Sequence, residues 1–122
     1  MATSSSKDRI AERPRRWVGR ASVFSGRPDP EWEVPGDLAS ELTSLWSRLP
    51  AELVHRSEPG GLGYRYCSLS SPDRRRRWVA FDGVVRYESA EGSELRRDEG
   101  REFERKLLGS APKGVLPPLQ RG

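Results

Sequence analysis

The segment Arg77-Trp78-Val79-Ala80-Phe81-Asp82-Gly83-Val84-Val85-Arg86-Tyr87-Glu88 decides the fold. An Asp-Gly pair between two strand-favouring runs is the strongest short-range hairpin signal a sequence carries. Folding about it sets Phe81 opposite Val84, Ala80 opposite Val85, Val79 opposite Arg86, Trp78 opposite Tyr87 and Arg77 opposite Glu88. One face is then wholly apolar (Ala80, Val85, Trp78, Tyr87). The other mixes Phe81, Val84 and Val79 with Arg86 and an Arg77–Glu88 ion pair. Core patterning and cross-strand charge therefore specify the same register.

Outward from the hairpin, the pattern predicts a strand over Leu62–Leu69, entered through Pro59-Gly60-Gly61 and left through the Ser70–Arg76 connection. A helix is predicted over Asp98–Leu108. Its first turn holds Asp98 and Glu99 and its last Arg105 and Lys106, matching the helix dipole, and Gly109 follows as a stop. Nearer the start, Trp17–Phe24 alternates as a strand does. Residues 25–36 contain three prolines and are expected to be irregular. Asp37 reads as the N-cap of a helix through Leu49, with Leu38, Leu42, Leu45 and Leu49 forming an apolar stripe and Pro50 ending it. The order β-α-β-β-β-α implies a two-layer α+β domain, with two helices against one face of a mainly antiparallel sheet.

The chain has 122 residues, and its apolar content is unevenly placed. Residues 1–13 read as a disordered basic arm, 14–109 as a single domain and 110–122 as a Pro/Gly-containing tail. All four Trp, three Tyr and three Phe fall inside the central span. Charge is segregated too. Residues 1–27 carry seven basic and two acidic side chains (+5), 28–63 two and seven (−5), 64–87 six and two (+4), 88–106 five and seven (−2), and the remainder +2. These sum to the net +4. Such a chain pairs its own halves or presents a basic surface to an anionic partner. Cys67 is alone, which excludes an intrachain disulfide and makes the reducing cytoplasm the expected setting. No apolar run approaches the ~20 residues of a membrane span, and no secretory signal is expected.

The stretch Phe24-Ser25-Gly26-Arg27-Pro28-Asp29-Pro30-Glu31-Trp32 is the most distinctive loop. It resembles a Phe-Ser-Gly-Arg-Pro-Asn/Asp-Pro-x-Trp motif of small bacterial proteins, a resemblance that carries no activity with it. A proline-stiffened loop offering Arg27, Asp29 and Trp32 would hold a ligand or peptide at low entropic cost. The plain alternative is that Arg27 pairs with Asp29 or Glu31 while Trp32 plugs the core. Asp29, Glu31 and Glu33 lack the glycine turn and longer ligand set of a calcium loop, so neither metal nor cofactor is expected.

Two further constellations bear on function. Arg74, Arg75, Arg76 and Arg77 lie between two strands, and Arg13, Arg15, Arg16 and Arg20 line the entry to the first. Together with Arg65 and Arg86, and with Trp17, Tyr64, Tyr66 or Trp78 beside them, they would suit nucleic acid, guanidinium groups taking phosphates and rings taking unpaired bases. Separately, Cys67 and the only histidine, His55, would make a nucleophile and base if the fold brought them together. The leading expectation is a small non-enzymatic binding or accessory protein acting on a protein partner or as a homodimer. Its surface would be Phe81, Val84 and Val79 left partly exposed beside Arg86. Nucleic-acid or other polyanion binding is the alternative, and a Cys67–His55 enzyme the third.

Overall fold

The computed structural model describes residues 16–23, 28–56 and 64–116. In chain order they form β1 (Trp17–Ser22), β2 (Glu31–Val34), α1 (Gly36–Arg48), β3 (Tyr66–Ser70), β4 (Arg77–Phe81), β5 (Val84–Ser89), β6 (Gly92–Arg97) and α2 (Glu102–Gly109). The strands make one sheet in the order β2-β1-β3-β4-β5-β6, antiparallel throughout. The fold is thus the expected two-layer α+β class. No helix among the described residues is long and apolar enough to cross a membrane.

The β4–β5 hairpin has the register read from the sequence, Phe81↔Val84 through Arg77↔Glu88, and Arg77 Nη1 stands 3.4 Å from Glu88 Oε1. Asp82 (φ 50°) and Gly83 (φ 78°) both take positive φ, the requirement of a type I′ turn. Asp82 also ties in its surroundings through Arg56 at 3.5 Å and Arg101 at 3.6 Å.

Two strands depart from the expected order. β2 lies inside the span expected to be irregular. Its alternation Glu31-Trp32-Glu33-Val34 is exposed-buried-exposed-buried, and Pro30 and Pro35 stand just outside it. Prolines are tolerated there because β2 is an edge strand, and the Pro30 carbonyl even accepts Ala21 N–H at 3.2 Å. β6 has almost no apolar side chain and is the opposite edge, half covered by the Ala51↔Arg96 bridge. Strand β3 starts at Tyr66, and the expected Leu62 and Gly63 lie outside the described residues.

The helix ends shift for local reasons. α1 begins at Gly36, its entry set by the fixed backbone of Pro35, so Asp37 sits in the first turn rather than at the cap. Leu49 is extended before Pro50, as steric conflict with the proline ring demands. α2 begins four residues after Asp98. The Asp98 carboxylate, 3% exposed, reaches forward instead to accept Glu102 N–H (3.1 Å) and Phe103 N–H (3.0 Å). That satisfies two of the donors a helix start leaves open.

Both helices cover one face. Ala39, Leu42, Leu45 and Trp46 of α1 and Phe103 and Leu107 of α2 bury Ala21, Val34, Cys67, Leu69, Trp78, Ala80 and Val85 in one cluster. α1 leaves β2 and reaches β6, where Arg96 Nη1 donates to the Trp46 carbonyl at 3.0 Å. α2 runs back, ending where Trp32 Nε1 donates to Ser110 Oγ at 2.9 Å. Lys106 and Glu41 join the two helices at 2.7 Å. Beyond α2, Ala111, Val115 and Leu116 still pack on this core.

On the other face the expected exposed patch is absent. Val79, Phe81 and Val84 are 0%, 1% and 1% exposed. β3 contributes Tyr66 and β6 contributes Leu95 to the same cluster, and the Arg86 guanidinium lies 5.7 Å over the Phe81 ring. Side chains from β3, β5 and the unexpected sixth strand together remove the docking surface that a bare hairpin would have left.

Candidate functional site

The connection between β3 and β4 is a tightly organised turn. Ser71, fully buried, donates its amide to the Arg76 carbonyl (3.0 Å), and its hydroxyl donates to Asp73 Oδ1 (2.8 Å) while accepting Arg76 N–H (3.1 Å). Asp73 Oδ1 also accepts Arg75 N–H at 3.0 Å. That amide, the Ser71 hydroxyl and the neighbouring arginines hold the Asp73 carboxyl below its ordinary pKa, so it stays ionised. Arg74 adopts φ 63°, and its Nη1 donates to the carbonyls of Ser71 (2.8 Å) and Arg16 (2.8 Å).

The last bond matters most. Arg16 and Arg74 are 58 positions apart in sequence, yet the antiparallel β1–β3 pairing puts the start of β1 beside this turn. Arg74, Arg75 and Arg76 are all exposed. Arg76 lies over the rings of Trp17 (5.7 Å) and Trp78 (5.5 Å), and Arg16 pairs with Glu33 at 2.8 Å. Arg77 departs from its neighbours: it faces the opposite side of the sheet and pairs with Glu88, which also receives Arg86 Nε at 2.8 Å. The four consecutive arginines are thus split, three at the turn and one on the ladder.

The other sequence candidates have different fates. Asp29 pairs with Arg20 at 3.5 Å and Glu31 with the same guanidinium at 3.6 Å. Trp32 is 5% exposed and plugs the core. Arg27 lies outside the described residues, as do Arg13 and Arg15. Among the described residues no group of three or more His, Cys, Asp or Glu is arranged to hold a metal ion.

Cys67 is fully buried under α2, in a cluster with Tyr64 and Glu104. The Tyr64 hydroxyl donates to Glu104 Oε2. Burial first, and then the Glu104 carboxylate, push the Cys67 thiol well above its ordinary pKa, which keeps it protonated. His55 lines a cleft of about 310 Å³ with Leu53, Val54, Arg86 and Leu95, on the other side of the sheet. The strand separation and the intervening sheet keep the two apart, so no Cys67–His55 pair forms. Beside that cleft the sequence reading missed Leu53 and Val54, 90% and 64% exposed. Nothing in their local pattern distinguishes them from residues continuing the stripe past Pro50.

Neither protein-family models, nor curated proteins, nor solved structures give a match to this chain.

Proposed function

We propose that this chain is a small non-enzymatic module that binds nucleic acid through the Ser71–Arg76 turn and the basic residues leading into β1. The carrying observation is the 2.8 Å bond from Arg74 to the Arg16 carbonyl, which ties the start of β1 to the arginine turn at one end of the sheet. In the sequence Arg13 and Arg15 stand within three positions before Arg16. A turn whose backbone is already fixed by Ser71 and Asp73 presents its guanidinium groups at little entropic cost. Phosphates bound there release counterions, so affinity follows salt.

The test is a titration of a labelled oligonucleotide at several salt concentrations, read by fluorescence anisotropy. For about three neutralised phosphates on a single strand, log K is expected to fall with log salt at a slope of roughly −2. The double variant Arg75→Glu/Arg76→Glu is expected to abolish binding while keeping the parent circular dichroism spectrum. No measurable binding at low salt, or unchanged binding by the folded variant, overturns the reading.

A second reading, a protein partner or a second copy in the cytoplasm, is favoured by Leu53 and Val54 standing exposed beside the cleft. It predicts that Leu53→Asp releases a co-purifying protein, or lowers the sedimentation coefficient of the isolated chain. If the parent sediments as a monomer and captures nothing, that reading fails.

A further inference from the structure

Arg76 is the exposed end of a run of tilted ring contacts. Its guanidinium lies over Trp17 and Trp78, whose ring centroids are 5.9 Å apart and tilted by 38°. Trp78 continues to Tyr87 at 5.0 Å, and Tyr87 to Trp46 at 6.0 Å. The Trp78 indole N–H is buried and finds no acceptor among the described residues, where ring contacts hold its position. Trp17 is only partly buried and Arg76 is exposed. At the surface, then, is a flat cation backed by indoles, on a backbone held at both its N–H and its carbonyl by Ser71.

Such a plane accepts the face of a nucleobase. In a duplex both faces of each base are already covered by neighbours, so only an unpaired base reaches it. Charge alone argues for the opposite ligand. A duplex has the higher linear charge density, and a surface that merely neutralises phosphates prefers it. The two terms therefore predict opposite orders of affinity.

We infer that Arg76, backed by Trp17, is a base-stacking platform that makes single-stranded rather than duplex nucleic acid the ligand of this surface. The inference rests on the nucleic-acid reading above. Arg75 takes a neighbouring phosphate, Arg16 exchanges its exposed Glu33 partner for another, and Arg74 stiffens the turn.

The experiment compares one short pyrimidine-rich DNA strand with the duplex of the same sequence, at one salt concentration, following both anisotropy and tryptophan emission of the full chain. The single strand is expected to bind about tenfold tighter and to quench the emission. Arg76→Lys keeps the charge but loses the plane, so the two affinities should converge to within about twofold with the salt slope unchanged. Trp17→Leu, which keeps apolar bulk, should give the same convergence, so the result does not depend on one variant folding. Equal or tighter duplex binding, or an undiminished preference in folded Arg76→Lys, overturns the stacking platform and leaves the nucleic-acid reading standing. Binding of neither ligand overturns both.

Discussion

A Cβ placed on Gly19 would stand 2.5 Å from Cε2 of Trp32, inside any tolerable contact distance. Gly19 and Trp32 are cross-strand partners on β1 and β2, so the indole lies flat over the space where a side chain would be. The ring is also tethered through Nε1, which would itself stand 2.7 Å from that Cβ, to Ser110. It cannot retreat without breaking that bond. Gly19→Ala is therefore expected to destabilise the fold by about 1–3 kcal/mol, the usual range for overpacking a filled core. A urea unfolding curve superimposable on the parent's would show that the indole does not occupy this space. At this scale Trp32, one of the three residues of the Pro-rich loop expected to hold a ligand, is a core plug.

α2 is joined to the residues entering β3 by a polar clasp, Tyr64 to Glu104 beside Cys67. Burial, opposed by the Tyr64 hydroxyl and Arg101, leaves the Glu104 carboxyl with a raised pKa. The native state thus holds that proton more tightly than the unfolded chain does. The stability it contributes is complete below the ordinary carboxylate range and is lost as pH rises through the raised value. Glu104→Gln keeps an acceptor for Tyr64 and removes the titration. It should be more stable than the parent at pH 7 and should flatten the decline of stability between the two pKa values. A pH profile identical to the parent's would remove Glu104 from the explanation. Tyr64→Phe leaves the carboxylate without its donor and should cost about 1–3 kcal/mol at neutral pH. The same helix shows what a local pattern conveys and what it omits. Asp98 and Glu99 mark a helix start correctly in kind, but Asp98 caps through its side chain from outside the helix, with Arg101 in the left-handed region at the cap. Charge distribution along a sequence cannot distinguish those two placements.

Across the whole molecule, legibility follows the range of the interaction. The β4–β5 register was readable because an Asp-Gly turn and alternating faces are local properties of twelve consecutive residues. β6 was not, since Gly92–Arg97 is held by backbone pairing at an edge and buries little, yet its Leu95 helps close the face over Phe81. Each arginine of the candidate site was likewise visible singly, whereas its meeting with Arg16 depends on β1 pairing with β3. This arrangement separates stability from recognition. Among the described residues fifteen buried side chains form the cluster on the helix face and three more the cluster on the opposite face, whereas half of the ion pairs join two exposed partners, such as Arg16 and Glu33 at 58% and 56%. Exposed pairs contribute roughly 0–1 kcal/mol each and are screened by salt. Raising sodium chloride from 50 to 200 mM should therefore move the urea midpoint little, by the equivalent of less than about 1 kcal/mol. The same change should weaken oligonucleotide binding about twentyfold if three phosphates are neutralised. Unfolding and anisotropy titrations on one preparation measure both. Stability falling in step with affinity would mean that the arginine turn and its carboxylates hold the fold together, and the turn could then no longer be treated as a surface kept for an external anion.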